Sequence, residues 1–307
     1  LTVVMEKLVG PLVLDDMKSL LDKSQFANQP GLSTQHYLIK LIDRILSATD
    51  SCSKGECVAV LATLIDWKKA FPMQDHTLGV KSFIRNGVRA SLIPILASFF
   101  ERRTMRVAWR GKLSTERPLP GSGPQGSSWG ILEYLSQSNN SADNVPEEDR
   151  AKFMDDLTIL EIILLANVGL ASHNPKSRVP TNIAVHNQFI PQEHLKTQKY
   201  VEDIDKWTEL NKMKVNEKKS KNIIFNFTRD HQFSTEIKLK NENLEVIDKT
   251  KLLGAIITSD LKWHENTKFL VKKANKKMIM LHKFAKFTQD KSHPYANIRV
   301  TRKPFST

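Results

Sequence analysis

The order of segments predicts an α+β fold, an antiparallel sheet with helices gathered on one side of it. Three features carry that prediction. CVAVLATLIDW, Cys57 to Trp67, is a short apolar run rich in β-branched residues, as a buried strand requires. KFMDDLTILEII, Lys152 to Ile163, sets two adjacent acids between apolar flanks, the pattern of a hairpin with acids at its tip. Several longer segments space their apolar residues three and four apart, as helices do.

The elements follow in order. Residues 1–50 read as mostly helical, broken at Asn28-Gln29-Pro30-Gly31, with Ser33 or Thr34 placed to cap the second helix. The buried strand stops at Asp66, just before the basic pair Lys68-Lys69. A helical pattern then occupies 76–100 through Leu78, Phe83, Ile84, Val88, Leu92, Ile95, Leu96 and Phe99. The basic patch RRTMRVAWRGK leads into a glycine loop, and polar, acidic residues 136–150 read as loop. Residues 171–195 are irregular, and 197–215 space Val201, Ile204, Trp207 and Leu210 as a helix does. NIIFNF (222–227) and KLLGAIIT (251–258) are two further strand candidates. A tail helix carries Val271, Ala274, Met278, Leu281 and Ala285 on one stripe among lysines.

At 307 residues the chain has room for one large or two modest domains, and its 40% hydrophobic share supports a core. No uninterrupted apolar run approaches the ~20 residues of a membrane span. The N-terminal segment lacks the basic head and cleavage site of a signal peptide, and it begins with Leu, which reads as a fragment. Two cysteines, Cys52 and Cys57, make neither a disulfide framework nor, alone, a zinc site, so a reducing intracellular compartment is the plain reading. The formal charge is +13, and residues 251–307 hold 13 Lys/Arg against 3 Asp/Glu. Such a basic stripe suits a polyanion, nucleic acid first; a solvated surface is the plainer alternative.

Three carboxylates are delivered by apolar segments: Asp66 at a strand end, Asp155 and Asp156 at a hairpin tip. Singly, each reads as a strand-ending or turn acid. If strand and hairpin are neighbours in one sheet, the acids converge as the oxygen cluster that Mg²⁺ needs. Two bridged metals form the clamp for in-line phosphoryl transfer. Gly121, Gly123 and Gly126 spell G-x-G-x-x-G, with Asp143 downstream, which matches the dinucleotide-binding pattern in letters. That reading needs a strand before Gly121 in a βαβ unit, and Arg117-Pro118-Leu119-Pro120 makes a poor central strand.

The same segments resemble, in order, those of the reverse transcriptase domain of non-LTR (LINE-like) retrotransposons. QFANQPGLSTQHYLIKLI is similar to the segment before the palm, and LIDWKKAF to the first catalytic motif. GSGPQGSSWGILEYL resembles the G-x-P-Q-G-S loop and its helix, and FMDDL the aromatic-x-Asp-Asp hairpin. WTELNKMKVNEKKSKNIIF resembles the next motif, and KLLGAIITSDLKW the strand pair at the palm–thumb junction. The resemblance spans residues 6–285 in six blocks.

It implies a right-hand polymerase palm, an antiparallel sheet backed by helices, with partial fingers in 1–56, palm with inserted fingers segments in 57–262, and the start of a basic helical thumb in 263–307. It implies an RNA-directed DNA polymerase that joins deoxynucleoside triphosphates to a DNA primer on an RNA template, with two Mg²⁺ or Mn²⁺ ions. Asp66, Asp155 and Asp156 would be the metal ligands, with Asp156 the least central. The Trp67 carbonyl would help to hold the metal, and Phe71 would lie beneath the sugar and crowd a 2′-OH. Gln125 and Gly126 would touch the nucleotide and template base. Lys219, or Lys221, would face the triphosphate, and Leu253-Gly254 would grip the primer end. Nuclear action suits the family. Pro72, the missing basic residue near Gln29-Pro30-Gly31, and the absent upstream fingers depart from its pattern, so the alternative is an inactive nucleic-acid-binding remnant.

Overall fold

Val58, Ala59, Val60, Leu61 and Ala62 are all buried, so the first strand, β1 (Cys57–Ile65), presents apolar side chains on both of its faces. A strand of that kind belongs in the middle of a sheet and needs cover on both sides. The computed structural model describes residues 2–50, 57–119, 121–123, 127–165, 186–227 and 231–287 and supplies that cover. Its helices are α1 (Thr2–Met17), α2 (Thr34–Asp50), α3 (His76–Arg85), α4 (Ile93–Phe100), α5 (Ser128–Ser138), α6 (Lys196–Leu210) and α7 (His264–Phe287). The chain divides into two compact units, Leu1–Ile247 and Asp248–Thr307.

In the first unit β1 is central. It pairs antiparallel with β3 (Asp156–Leu165) on one side and β4 (Lys221–Asn226) on the other. Beyond β3 lies its hairpin partner β2 (Arg150–Phe153), and beyond β4 the short β5 (Glu245–Val246), giving the order β5-β4-β1-β3-β2. The hairpin read from Lys152–Ile163 is therefore present. The sheet is mixed rather than purely antiparallel, because β5 runs parallel to β4. The chain turns back on itself in residues 231–244 before reaching that edge, so it arrives in the same direction.

Helices lie on both faces of the sheet, not on one. Tyr37 of α2 bonds Thr158 hydroxyl to hydroxyl at 2.5 Å, so α2 covers the face to which Thr158 points. On the opposite face Ala59, Leu61, Ile159 and Ile163 pack with Val201, Ile204 and Trp207 of α6. Glu161 of that face accepts hydrogen bonds from the Lys196 and Thr197 N–H groups at 2.9 and 2.8 Å. A carboxylate there satisfies two otherwise orphaned donors and complements the positive end of α6. The central strand β1 is buried on both faces, and this distinguishes it from a strand of a half-buried sheet.

A second core joins α1, α3, α4 and α5 through Val13, Met17, Phe83, Leu96, Trp129 and Leu135. The single helical pattern of 76–100 is two helices, separated where Gly87 takes a left-handed backbone (φ 82) after the C-cap Asn86. Glycine there ends a helix without the steric penalty other residues incur. α5 is buried on nearly all sides and extends into the segment read as loop from 136, ending at Ser138.

In the second unit KLLGAIIT is not one strand but the strand pair that the resemblance implies, a hairpin of β6 (Lys249–Leu252) and β7 (Ala255–Thr258). Leu253 and Gly254, at φ 46 and 92, form its two-residue turn, which has the twist that tight hairpins favour. α7 follows, with Val271, Met278 and Leu281 of its apolar stripe exposed.

Candidate active site

The register of β1 with β3 ends at Ile65↔Leu157, and its next step sets Asp66 opposite Asp156. Asp155 occupies the two-residue turn between β2 and β3, one position earlier. Three carboxylates thus meet at one end of the central strands. Burial first, then the charges of Asp155 and Asp66, push the Asp156 carboxyl up to about 6 from its ordinary value. A carboxyl raised by burial and by like charges has those charges as neighbours in an incompletely hydrated place.

The backbone that carries these acids is held by hydrogen bonds. The Asp66 N–H donates to Ser220 Oγ at 3.1 Å, and its carbonyl accepts from the Asn216 N–H at 2.7 Å. Trp67 bridges to Val215, and its ring meets Trp207 edge-on at 5.6 Å. The hairpin turn needs a left-handed residue, Met154 (φ 54), which a bulky side chain rarely adopts unless its surroundings impose it. Gln25, almost fully buried, does so. Its Oε1 accepts the Met154 N–H at 3.2 Å and the Ala27 N–H at 3.0 Å, while Asn28 Nδ2 lies 3.1 Å from Met154 Sδ.

One step behind the turn sits a buried ionic group. Asp22 Oδ2 is 2.8 Å from Lys152 Nζ and 3.0 Å from Arg150 Nε, all three side chains being nearly inaccessible. Burial alone would raise the Asp22 carboxyl; the Lys152 and Arg150 charges overcome it and hold the group down at about 2. Sequence reasoning missed Gln25, Asn216, Ser220 and this ion group. Gln25 stands 129 positions from its partner and Ser220 154, separations that no local pattern reports.

Lys219 and Lys221, left as alternatives by the sequence, separate here. Lys221 Nζ is 2.5 Å from Glu245 Oε2 on the neighbouring strand, whereas Lys219 Nζ lies 4.0 Å from Asp66 Oδ2. Phe71 stacks on Tyr134 with ring centroids 5.1 Å apart. Beneath it the Tyr134 hydroxyl is fully buried, has no hydrogen-bond partner, and is pushed upward by burial and by the charges of Asp155 and Asp156.

The glycine loop has a different job from the one its letters suggest. The Ser122 N–H donates to the Gln74 carbonyl and the Gly123 N–H to the Phe71 carbonyl, both at 2.9 Å. A Cβ on Gly121 would fall 2.5 Å from the Gln74 carbonyl oxygen, and one on Gly123 would run into the Gln74 carboxamide. These two glycines let the loop lie flat against Phe71–Gln74. Gln125 and Gly126 fall outside the described residues. Among the described residues those before Gly121 pair only as a two-residue strand, Arg117–Pro118, antiparallel to Thr104–Met105, which is not the strand of a βαβ unit.

The donors here fit a hard divalent cation by chemistry, being carboxylates whose mutual repulsion raises Asp156. Among the described residues, however, no three His, Cys, Asp or Glu side chains form a ready-made metal cage. No described helix is long and apolar enough to cross a membrane.

No family model matches the chain. It is 27% identical over 166 residues to the Drosophila melanogaster protein named "Probable RNA-directed DNA polymerase from transposon X-element", covering 51% of this chain and 17% of that one. Among solved structures, apo telomerase from Candida tropicalis truncated from its C-terminal domain superposes with a TM-score of 0.51 at 13% identity, over 85% of this chain and 44% of that chain. Telomerase from the same organism in complex with a TWJ fragment of telomeric RNA gives 0.52 at 13% identity, over 83% and 37%. The chain thus spans less than half the length of each of these proteins. The sequence similarity agrees with the resemblance to a reverse transcriptase domain, and the likeness to the solved structures is one of fold. The chain's similarity in sequence is to the polymerase of a transposon.

Proposed function

We propose that the chain is the catalytic portion of an RNA-directed DNA polymerase that extends a DNA primer on an RNA template by two-metal phosphoryl transfer. The observation that supports it most directly is the convergence of Asp66, Asp155 and Asp156, with Asp156 raised to about 6 by its neighbours. Three carboxylates gathered at one strand end with a single exposed lysine beside Asp66 are costly, and a cation reduces the cost.

In this reading Asp66, Asp155 and Asp156, with the Trp67 carbonyl, hold two Mg²⁺ or Mn²⁺ ions. Such ions, when bound, activate the attacking primer oxygen and neutralise the leaving pyrophosphate. Asp156 gives up its proton as the site is filled, so filling weakens as pH falls through about 6. Lys219, beside Asp66 and free of the Glu245 contact, faces the triphosphate and counters its charge. Phe71, braced by Tyr134, forms the floor under the sugar and excludes a 2′-OH. Gln125 and Gly126 touch the nucleotide and template base. Residues 1–56 serve as partial fingers, 57–262 as palm and 263–307 as the start of the thumb, with Leu253-Gly254 at the primer end.

The test is primer extension on an RNA template by the chain, with Mg²⁺ or Mn²⁺. Extension is expected to require the cation and to fall by about a hundredfold or more in Asp155→Asn, as for other groups that stabilise developing charge. Extension that survives Asp155→Asn overturns the site. No extension by a chain that demonstrably binds the primer–template favours the non-catalytic remnant.

A further inference from the structure

Between α4 and the glycine loop the chain projects an arm, Thr104 to Pro118, that nothing in the polymerase reading uses. Thr104–Met105 pairs with Arg117–Pro118, and Ala108–Trp109 with Lys112–Leu113. Arg110 and Gly111, at φ 48 and 74, close it as a two-residue turn. Every residue from Thr104 to Pro118 is exposed on this thin ribbon, which packs on no core. Isolated two-stranded ribbons are marginal at best, so one with a large apolar face needs a reason to persist.

Trp109 is the clearest oddity, at 71% exposed. The Arg110 guanidinium lies over its ring at 5.6 Å, leaving the other face of the indole open. Residues 101–118 hold six basic residues against two acidic ones. Glu116 is taken by Arg106 at 2.6 Å, while Arg110, Lys112 and Arg117 have no carboxylate partner among the described residues. An exposed indole beside uncommitted cations is the chemistry of single-stranded nucleic acid. Bases stack on the ring whatever their identity, and cations follow the phosphates. A duplex hides its base faces and offers only the phosphates.

We propose that this arm is a stacking platform for single-stranded RNA, with Trp109 receiving a base and Arg110, Lys112 and Arg117 its flanking phosphates. The proposal rests on the polymerase reading for its choice of RNA, since an RNA template must be single-stranded before it is copied. The chain after the arm continues to Gly121–Gly123, which lie on the Phe71–Gln74 segment.

The experiment measures anisotropy of labelled oligo-uridylate and of an RNA duplex against the full chain over a range of salt. Trp109→Ala is expected to weaken the single strand about 5- to 100-fold and to spare the duplex. Trp109→Phe, which keeps a ring, restores most of that loss. Lys112→Ala and Arg117→Ala each reduce the salt slope by about 0.7. Affinity for the single strand unchanged in Trp109→Ala overturns the proposal. So does sedimentation showing that the wild-type chain pairs with a second copy through an arm that Trp109→Ala releases. The two readings fail separately. Trp109-dependent binding without primer extension counts against the polymerase alone; extension with undiminished Trp109→Ala binding counts against the platform alone.

Discussion

The Arg150–Leu165 hairpin and the Thr104–Pro118 arm are both antiparallel ribbons closed by two-residue turns, and they live in opposite surroundings. The first is covered on both faces, tied to Asp22 by two buried cations, and has its turn held by Gln25. The second is exposed throughout, and its Arg106–Glu116 pair, with both side chains about half exposed, stands in solvent. The turns differ in backbone, with Met154 alone left-handed in the first and both Arg110 and Gly111 in the second; the first is fixed by tertiary contacts and the second is left to local ones. Fixing the positions of carboxylates requires the first; the second is free to adapt to what it meets.

The comparison breaks first at its ions. Asp22→Ala leaves Lys152 buried without its partner and is expected to cost about 3–5 kcal/mol, read from denaturant unfolding. Arg106→Ala in the arm should cost under about 1 kcal/mol in the same measurement. Equal losses would mean that the two ribbons are not differently anchored. The junction between them comes next. Gly121→Ala forces a Cβ against the Gln74 backbone, where no rotamer change can relieve it, at a cost of about 1–3 kcal/mol. Gly111→Ala at the arm tip meets open space and pays only for its left-handed backbone, about 1 kcal/mol.

Proton linkage sharpens the contrast further. A carboxyl raised on folding favours the folded chain while protonated, so its contribution is complete below about 4 and is lost as pH rises through about 6. Metal-free wild type should lose about 1–2 kcal/mol across that window after allowance for partial solvent screening, and Asp156→Asn should flatten the profile. Asp22 behaves oppositely. Held at about 2, it stabilises above about 4 and fails as pH falls through 2. The smallest effect belongs to Tyr134→Phe. Its hydroxyl has no partner, so removal should change stability by no more than about 0.5 kcal/mol or raise it.

What the sequence made legible was whatever local pattern encodes. An apolar β-branched run announced β1, and acids between apolar flanks announced the β2–β3 hairpin. Six motifs in order pointed to the family. Patterns that depend on distance in the chain were not legible. Nothing near Val58–Ile65 says that the strand is covered on two faces, although its unbroken apolar run was a hint. The choice between Lys219 and Lys221 rests on Glu245, a strand away. The buried Gln25, read only as part of a motif, holds a backbone N–H of the turn that carries Asp155.

The contact of Gly121 and Gly123 with Phe71–Gln74 bears on how genetic data for this chain should be read. In a mutational screen, substitutions at these glycines would abolish function and sit squarely in a letter-perfect nucleotide-binding signature. They would be scored as damage to a ligand loop. The lesion would instead be a misfit between two stretches of backbone, and its tell-tale would be genetic: a smaller residue at Gln74 should suppress Gly123→Ala, where Gln74 meets the new methyl through its side chain, and should leave Gly121→Ala unrescued, where the clash is with main chain.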